Sequence, residues 1–342
     1  MKAFFALVDL TAPLFVLVGV GFVLSRWGRW PLAAADALTR FVFSIAIPTL
    51  LFRLMSDFAR EPRVDPRLLF AFFGGCLLVY GVGRVGAFVL FRMDGAAQSL
   101  FGLSGIFSNN VLLGVPLAKV TLGEAALPAV SLVLVFNSLL LWTLATVSVE
   151  WARHGKFSPA ALGKTVLGVV RNPVVASILA GTAFGFSGLA LPGFLDQTLA
   201  QMSTAAVPLS LVALGMGLAG FGAKATWLTS GAMAFLKLVL HPLAVYALAR
   251  LLALPPLETA AVVMLAALPI GANVYLMSRQ FDVLTGPVAS ATVLTTVLAA
   301  VSTPLVLTLI DARSPGREPK GAPAMPLEVQ ERTVARSPVR DA

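Results

Sequence analysis

The stretch GIFSNNVLLGVP, residues 105–116, interrupts a long apolar run with two adjacent carboxamides, a glycine and a proline. Pro116 removes a backbone donor and disfavours helix at Val115, and Gly114 lowers the cost of leaving helical geometry. An unpaired amide in hydrocarbon costs several kcal/mol, so a break survives there only where protein or a water-filled cavity satisfies the freed groups. The stretch therefore predicts a broken membrane helix at a functional site.

Composition places the whole chain in a membrane. Of its 342 residues, 58% are hydrophobic and 12% are charged, whereas a soluble domain has about 25% charged residues. Repeated runs of about 20 apolar residues can each cross a bilayer. The net charge of +9 comes from Lys and Arg between these runs and in the tail, which suits anionic lipid and gives no stripe for nucleic acid. We expect a multi-pass protein of the plasma (inner) membrane.

Ten spans are predicted from apolar runs that end at charge, Gly or Pro. They lie near residues 8–25, 34–56, 67–91, 97–119, 125–150, 165–188, 197–219, 227–252, 257–279 and 286–310. The basic segment 151–164 divides them into an N-terminal repeat, 1–150, and a C-terminal repeat, 165–311. Residues 312–342 are rich in Pro, Arg and Ala, and we expect them to be disordered.

The two halves resemble each other. Pro48 in span 2 matches Pro208 in span 7, and Asn110 in span 4 matches Asn273 in span 9, at nearly the same offset along the chain. Two units with an odd number of spans must have opposite orientations, which is the inverted-repeat plan of many secondary transporters. The predicted fold is an all-α membrane protein of ten transmembrane helices in two inverted five-helix repeats.

The second predicted break is ALPIGANVYLMS, residues 267–278, which contains Pro269, Gly271 and Asn273. Two broken helices at matched positions of inverted halves are expected to meet and cross. The helix N-termini at such a crossing expose N–H groups with partial positive charge, which attract an anion. Asn109, Asn110 and Asn273 would add amide donors that hold a carboxylate without a permanent charge. The alternative is that these amides only join helices or restore the broken backbone.

SNNVLLGVPL and LPIGANVYLMSRQF resemble the two signature segments of the auxin efflux carrier family, which includes bacterial malonate and malate permeases. The resemblance covers about residues 5–310. It places Asn109 and Asn273 as the family's two crossover asparagines, with Pro116 and Pro269 as the breaking prolines. Asn110 and Val111 depart from the Thr or Ser and then Gly that members often have after the first asparagine, so substrate preference could shift.

The resemblance implies a fold similar to that of bile-acid and sodium/proton transporters. Spans 1, 2, 6 and 7 would form a scaffold, and spans 3–5 and 8–10 a mobile transport domain. Both termini would lie outside, with the 151–164 loop in the cytoplasm. A homodimer is compatible with this fold, although the sequence reveals no interface.

Three basic residues inside the spans are candidates for coupling or anion sensing, since an ionisable group at membrane depth is usually functional. Arg84 in span 3 could face a cavity and complement an anion, or could bond backbone carbonyls between helices. Lys237 and His241 are four residues apart on one face of span 8. They could form a deprotonatable coupling pair, or Lys237 could support a crossover carbonyl with a fixed charge.

The sequence predicts a carrier for a small carboxylate such as malonate or malate, working by alternating access. Neither the two histidines nor the acid placement supplies the nucleophile or metal cluster of an enzyme, so no catalytic residue, metal or cofactor is expected. Paired carboxylates of an antiporter are also missing from the central spans. A sodium-coupled symporter stays open because Ser108, Asn110 and Asn137 could bind Na⁺, and an anion channel is a third alternative.

Overall fold

The structure is a computed structural model that describes residues 2–28, 30–56, 64–154, 171, 173–220 and 227–311. Within these ranges the chain is helical, and one isolated bridge pairs Ser108 with Ile270 in antiparallel fashion. The expected disordered tail, residues 155–164 of the basic loop and the first residues of span 6 lie outside the described residues.

Fourteen α-helices occur in the described ranges, and we number them in chain order. They are α1 (Lys2–Arg26), α2 (Leu32–Phe41), α3 (Ile47–Ser56), α4 (Arg67–Phe91), α5 (Gly95–Ser104), α6 (Val115–Thr121), α7 (Leu127–His154), α8 (Pro173–Phe186), α9 (Gly193–Ala219), α10 (Trp227–Phe235), α11 (His241–Leu251), α12 (Pro256–Ala267), α13 (Ala272–Phe281) and α14 (Thr285–Asp311). A short 3₁₀ helix, Glu124–Ala126, precedes α7.

Six continuous helices of the described chain are long and apolar enough to cross a membrane. They are Phe4–Arg26, Ala33–Arg53, Arg67–Phe91, Gly193–Ala219, Trp227–Leu251 and Thr285–Ile310. Shorter apolar helices include Asn110–Thr121, Pro173–Phe186 and Pro256–Ala267. Large apolar side chains such as Phe70 and Leu90 on α4 are exposed, as expected for a surface that faces lipid. The chain is thus an all-helical, multi-pass membrane protein.

Three segments of π-helix each end two residues before a proline. Val42–Ala46, Asn110–Gly114 and Leu236–Leu240 precede Pro48, Pro116 and Pro242 in turn. A proline cannot donate to the carbonyl four residues earlier, and its ring clashes with that carbonyl. The wider π turn moves the carbonyl aside, so the helix continues through each proline with a local bulge. Chain segments 32–56, 110–121 and 227–251 are therefore continuous helices.

Glycine contacts bring the first helices of the two halves close to helices of the other half. A Cβ on Gly21 of α1 would lie 2.1 Å from the carbonyl oxygen of Val212 in α9, and one on Gly181 of α8 would lie 2.5 Å from that of Phe52 in α3. Only glycine permits backbones to approach so closely. The sequence offset that relates Pro48 to Pro208 also relates Gly21 to Gly181 and Phe52 to Val212.

Helix packing falls into two groups. α1, α2, α3, α8 and α9 pack mainly on one another, whereas α4 packs on α5 and α11, α12 packs on α11 and α14, and α5 packs on α7. Contacts between the groups include α1 with α14, α1 with α6, and α9 with the π segment Asn110–Gly114.

One predicted boundary is wrong by a turn. The basic loop was expected to begin at residue 151, but α7 continues to His154. Residues 151–154 contain no Gly, Pro or capping residue that would end the helix, and the first such breaker in the sequence is Gly155.

Candidate functional site

The two interrupted helices meet at their breaks. α5 ends at Ser104 and the next helix begins at Asn110, while α12 ends at Ala267 and α13 begins at Ala272. Between these ends the chains run antiparallel. The Asn109 amide donates to the Pro269 carbonyl at 3.0 Å, and the Gly271 amide donates to the Phe107 carbonyl at 2.8 Å. Each break thus satisfies part of the other's backbone, as hydrocarbon requires.

The pairing is consistent with the internal offset of the sequence. The offset that relates Asn110 to Asn273 also relates Phe107 to Ile270 and Ser108 to Gly271. The exchange of the two halves therefore maps the paired residues onto one another.

Two glycines allow the close approach of the segments. A Cβ on Gly271 would lie 2.9 Å from the Ser108 carbonyl oxygen, and one on Gly114 would lie 2.9 Å from Cδ1 of Leu268. Such distances are shorter than normal contacts, so a larger residue would force the segments apart.

The predicted helix-breaking role of Gly114 and Pro116 is wrong, although that of Pro269 and Gly271 agrees with the backbone. Gly114 has helical angles, φ −65° and ψ −47°, and Pro116 lies in the first turn of α6, where a missing N–H costs little. The break lies earlier, at residues 105–109. At the second break, Leu268 and Gly271 are extended, with ψ 158° and 143°.

Side chains satisfy the remaining backbone groups at the second break. Lys237 Nζ donates to the Ala266 carbonyl at 2.5 Å, and Thr303 Oγ1 donates to the Ala267 carbonyl at 3.2 Å. The Ile270 amide donates to Thr295 Oγ1 at 3.1 Å. Buried backbone groups need such partners, so these three side chains hold the break open. The sequence reasoning did not identify the two threonines, and the signal was the row of hydroxyls in the otherwise apolar α14.

The proline after the first break frees a carbonyl for a neighbouring helix. Pro116 cannot donate to the Leu112 carbonyl, four residues earlier. The Ser210 hydroxyl of α9 lies 3.1 Å from that oxygen and 2.8 Å from the Val207 carbonyl of its own helix. Ser210, which is fully buried, therefore connects α9 to the segment that carries Asn110.

We expect Ser210→Ala to lower the free energy of unfolding by about 1 kcal/mol, the usual net contribution of one hydrogen bond. Melting of the purified protein in detergent measures the change. Ser203→Ala is the control, because that hydroxyl bonds only the Leu199 carbonyl within its own helix in the described structure. Equal losses for both variants would contradict a specific role of the contact with Leu112.

The asparagines differ in their surroundings. Asn110 is 2% exposed and Asn109 is 6% exposed, whereas Asn273 is half-buried in the first turn of α13. In the described part of the chain, neither side-chain atom of Asn110 has a hydrogen-bond partner, and Ser108 Oγ, 2% exposed, also lacks one. Buried polar groups are nearly always bonded, so unpartnered groups beside paired breaks indicate a place for a ligand.

Lys237 and His241 lie together at this region. Lys237 Nζ is 3.2 Å from His241 Nδ1, and His241 Nε2 is 3.3 Å from Sγ of Cys76 on α4. All three side chains are fully buried. No cluster of three or more His, Cys, Asp or Glu able to hold a metal occurs among the described residues.

Arg84 is not brought to the paired breaks. Its guanidinium carbon lies 5.9 Å from the centroid of the Tyr80 ring, a cation–π distance within the same helix. In the described ranges no hydrogen bond or ion pair joins Arg84 to the segments at 105–109 or 268–271.

An apolar cavity of about 290 Å³ lies apart from the asparagines. Its lining comes from the π segment before α11 and from α11, α12 and α14, and includes Leu238, Pro242, Tyr246, Val263 and Leu305. Its apolar walls do not suit a carboxylate, so the paired breaks are the better candidate site.

Comparison with known proteins agrees with this site and fold. A family model described as "Membrane transport protein" matches residues 6–307. The chain is 31% identical over 300 residues to a Rhizobium meliloti (strain 1021) protein described as "Putative malonate transporter", and the match covers 86% of this chain and 92% of that protein. Both matches indicate a transporter and not an enzyme. The chain therefore belongs to the membrane transport protein family, the auxin efflux carrier family that its two signature segments resemble.

Proposed function

We propose that the protein is a secondary carrier of a small organic anion, a malonate-like carboxylate, and that it works by alternating access in the plasma membrane. The anion is held where the two broken helices meet, by the side chains of Asn109, Asn110 and Asn273 and by the free N–H groups at the starts of the helices at Asn110 and Ala272. Its partners are the carboxylate and membrane lipid, and a homodimer is compatible with the fold.

One observation carries this proposal: buried, unpartnered polar side chains at Ser108 and Asn110 stand beside paired helix breaks. A carboxylate accepts the hydrogen bonds that an amide, a hydroxyl and helix N-termini donate. Neutral donors suit a carrier because they compensate the anion without binding it too tightly for release. The described relative, a malonate transporter by its printed name, supports the same substrate class.

The carrier would consist of a scaffold and a transport domain built from two inverted repeats. α1, α2, α3, α8 and α9 would form the scaffold, and α4–α7 with α10–α14 the moving part that carries the breaks. The two packing groups support this division, as do the glycine contacts that recur at matched positions of the two halves. The Ser210 contact with Leu112 lies between the two parts.

Uptake into proteoliposomes tests the function. We expect the purified full-length protein to accumulate labelled malonate with saturation, and preloaded unlabelled malonate to accelerate entry of the label. Counterflow of this kind is typical of a carrier and is not shown by an open anion channel. Protein-free liposomes and liposomes with heat-denatured protein are the controls. Linear, non-saturating entry without counterflow would contradict the carrier proposal.

A sodium-coupled symporter is the second candidate, and unpartnered oxygen atoms favour it. Asn110 Oδ1, Ser108 Oγ and Asn137 Oδ1 are buried and lack hydrogen-bond partners in the described chain. Oxygen atoms of amides and hydroxyls are suitable ligands for a hard cation such as Na⁺. The same liposomes with an imposed sodium gradient decide between the two: malonate uptake that rises with inward sodium and not with an inward proton gradient establishes the symporter.

A further inference from the structure

The antiparallel pairing sets each helix beginning beside a helix end of opposite polarity. The Asn109 amide bonds Pro269, and Gly114 packs on Leu265 and Leu268, so the helix Asn110–Thr121 begins beside the end of α12. By the same pairing, α13 begins beside the end of α5. A helix start carries partial positive charge and a helix end partial negative charge. Adjacent ends therefore weaken each other's field.

Lys237 removes this cancellation at one of the two places. Its ammonium donates to the Ala266 carbonyl in the last turn of α12, one of the groups that give this helix end its negative charge. It also donates to Nδ1 of His241, so the imidazole carries its proton on Nε2 and donates to Cys76. No carboxylate of the described chain lies within ion-pair distance of Lys237, which is 0% exposed. Its charge thus acts on the break itself.

The other place has no such cation. At the end of α5, the Leu103 carbonyl accepts the amides of Ile106 and Phe107, and the Ser104 hydroxyl bonds the Leu100 carbonyl. Residues 74–77, which the offsets between the two halves match to Lys237, have the sequence GGCL and carry no charge. The two halves of the site are therefore alike in backbone and different in charge.

We infer that Lys237 makes the Asn110 side of the paired breaks the anion-binding side, which rests on the proposed function. There the helix start acts without an opposing negative end, and the unpartnered side chains of Ser108 and Asn110 face no protein partner in the described chain. A buried carboxylate needs a compensating charge to offset its lost hydration. Lys237 supplies it through the Ala266 carbonyl and is a positioning residue that orients and compensates the anion.

The test compares two ligands of similar size and different charge. Malonate carries two negative charges and monomethyl malonate carries one near neutral pH. Lys237→Met keeps the side-chain length and removes the charge. Because a Coulomb energy scales with ligand charge, we expect the affinity for monomethyl malonate to fall roughly tenfold and that for malonate roughly a hundredfold. Isothermal titration of the purified full-length protein measures both, and Lys237→Arg should restore the order.

Equal losses for the two ligands would show that Lys237 only supports the backbone, and unchanged affinities would show that its charge does not act; either result overturns the inference. If Lys237→Met does not fold, Asn110→Ala and Asn273→Ala decide. We expect malonate affinity to fall more than tenfold in Asn110→Ala and less than threefold in Asn273→Ala, and the reverse order refutes the inference. A wild-type protein that binds neither anion would refute the proposed function as well.

Discussion

Asn109→Ala is expected to abolish malonate uptake while the protein remains folded. The residue lies at the centre of the paired breaks, where its backbone donates to Pro269 and its carbonyl accepts the amides of Leu113 and Gly114. These backbone bonds survive the substitution, whereas the side-chain amide is lost. A buried carboxylate that loses one donor loses about 1.5–3 kcal/mol, so the initial rate at low malonate concentration should fall at least tenfold and, with transition-state contacts included, to background.

Asn109→Asp extends this test because it keeps the side-chain shape and opposes an anion. Two like charges about 4 Å apart at an effective dielectric constant of about 20 repel by about 4 kcal/mol, which corresponds to roughly a thousandfold loss of affinity. Gln98→Ala is the control, since it removes a carboxamide that bonds the Met93 carbonyl near the start of α5, away from the break. Uptake by Asn109→Asp at the wild-type rate, with Gln98→Ala equally active, would exclude Asn109 from the site.

Gly271→Ala should disrupt the junction of the two broken helices. The added methyl group would lie 2.9 Å from the Ser108 carbonyl oxygen and 3.3 Å from Cδ1 of Phe107, and backbone cannot yield as a flexible side chain does. Overpacking of this kind costs about 1–3 kcal/mol. We expect the melting temperature in detergent to fall by about 5 °C and malonate uptake to fall more than tenfold, because the hydrogen bond from Gly271 to Phe107 cannot keep its geometry.

Gly217→Ala provides the matched comparison. Gly217 lies within α9 and nothing in the described structure stands within 4 Å of an added Cβ. Alanine is the better helix former by about 0.5–1 kcal/mol, so this variant should melt at the wild-type temperature or above it and should transport malonate normally. A Gly271→Ala protein that melts and transports like Gly217→Ala would show that the close approach of the two breaks has no functional importance.

The second break was predictable from sequence because its signals are local. Pro269 and Gly271 stand within the non-helical residues, and the structure departs from helix between Leu268 and Gly271. The first break was placed too late. Gly114 and Pro116 look like breakers in one dimension, but a π turn absorbs the proline. The actual break at residues 105–109 is fixed by its pairing with Pro269 and Gly271, a contact between distant parts of the chain.

The environment of the basic residues depends on tertiary packing in the same way. The spacing of Lys237 and His241 predicted a shared helix face, and the two groups are in contact. Which carbonyl Lys237 bonds could not be read from spacing, because Ala266 is brought to it by the packing of another helix. Arg84 has the same charge and apparent depth as a functional cation, yet its contact is with Tyr80.

The glycine contacts between α1 and α9 also bear on how the chain is made. Gly21 leaves the ribosome early, but Val212, the residue whose backbone it packs against, is synthesised only after the whole N-terminal half. Until then the first helix has no partner backbone to match its glycine groove, and only lipid can cover it. The N-terminal half must therefore wait in the bilayer in an open form. Packing of α1 is completed only when the C-terminal half has been inserted, so biogenesis of this transporter finishes late.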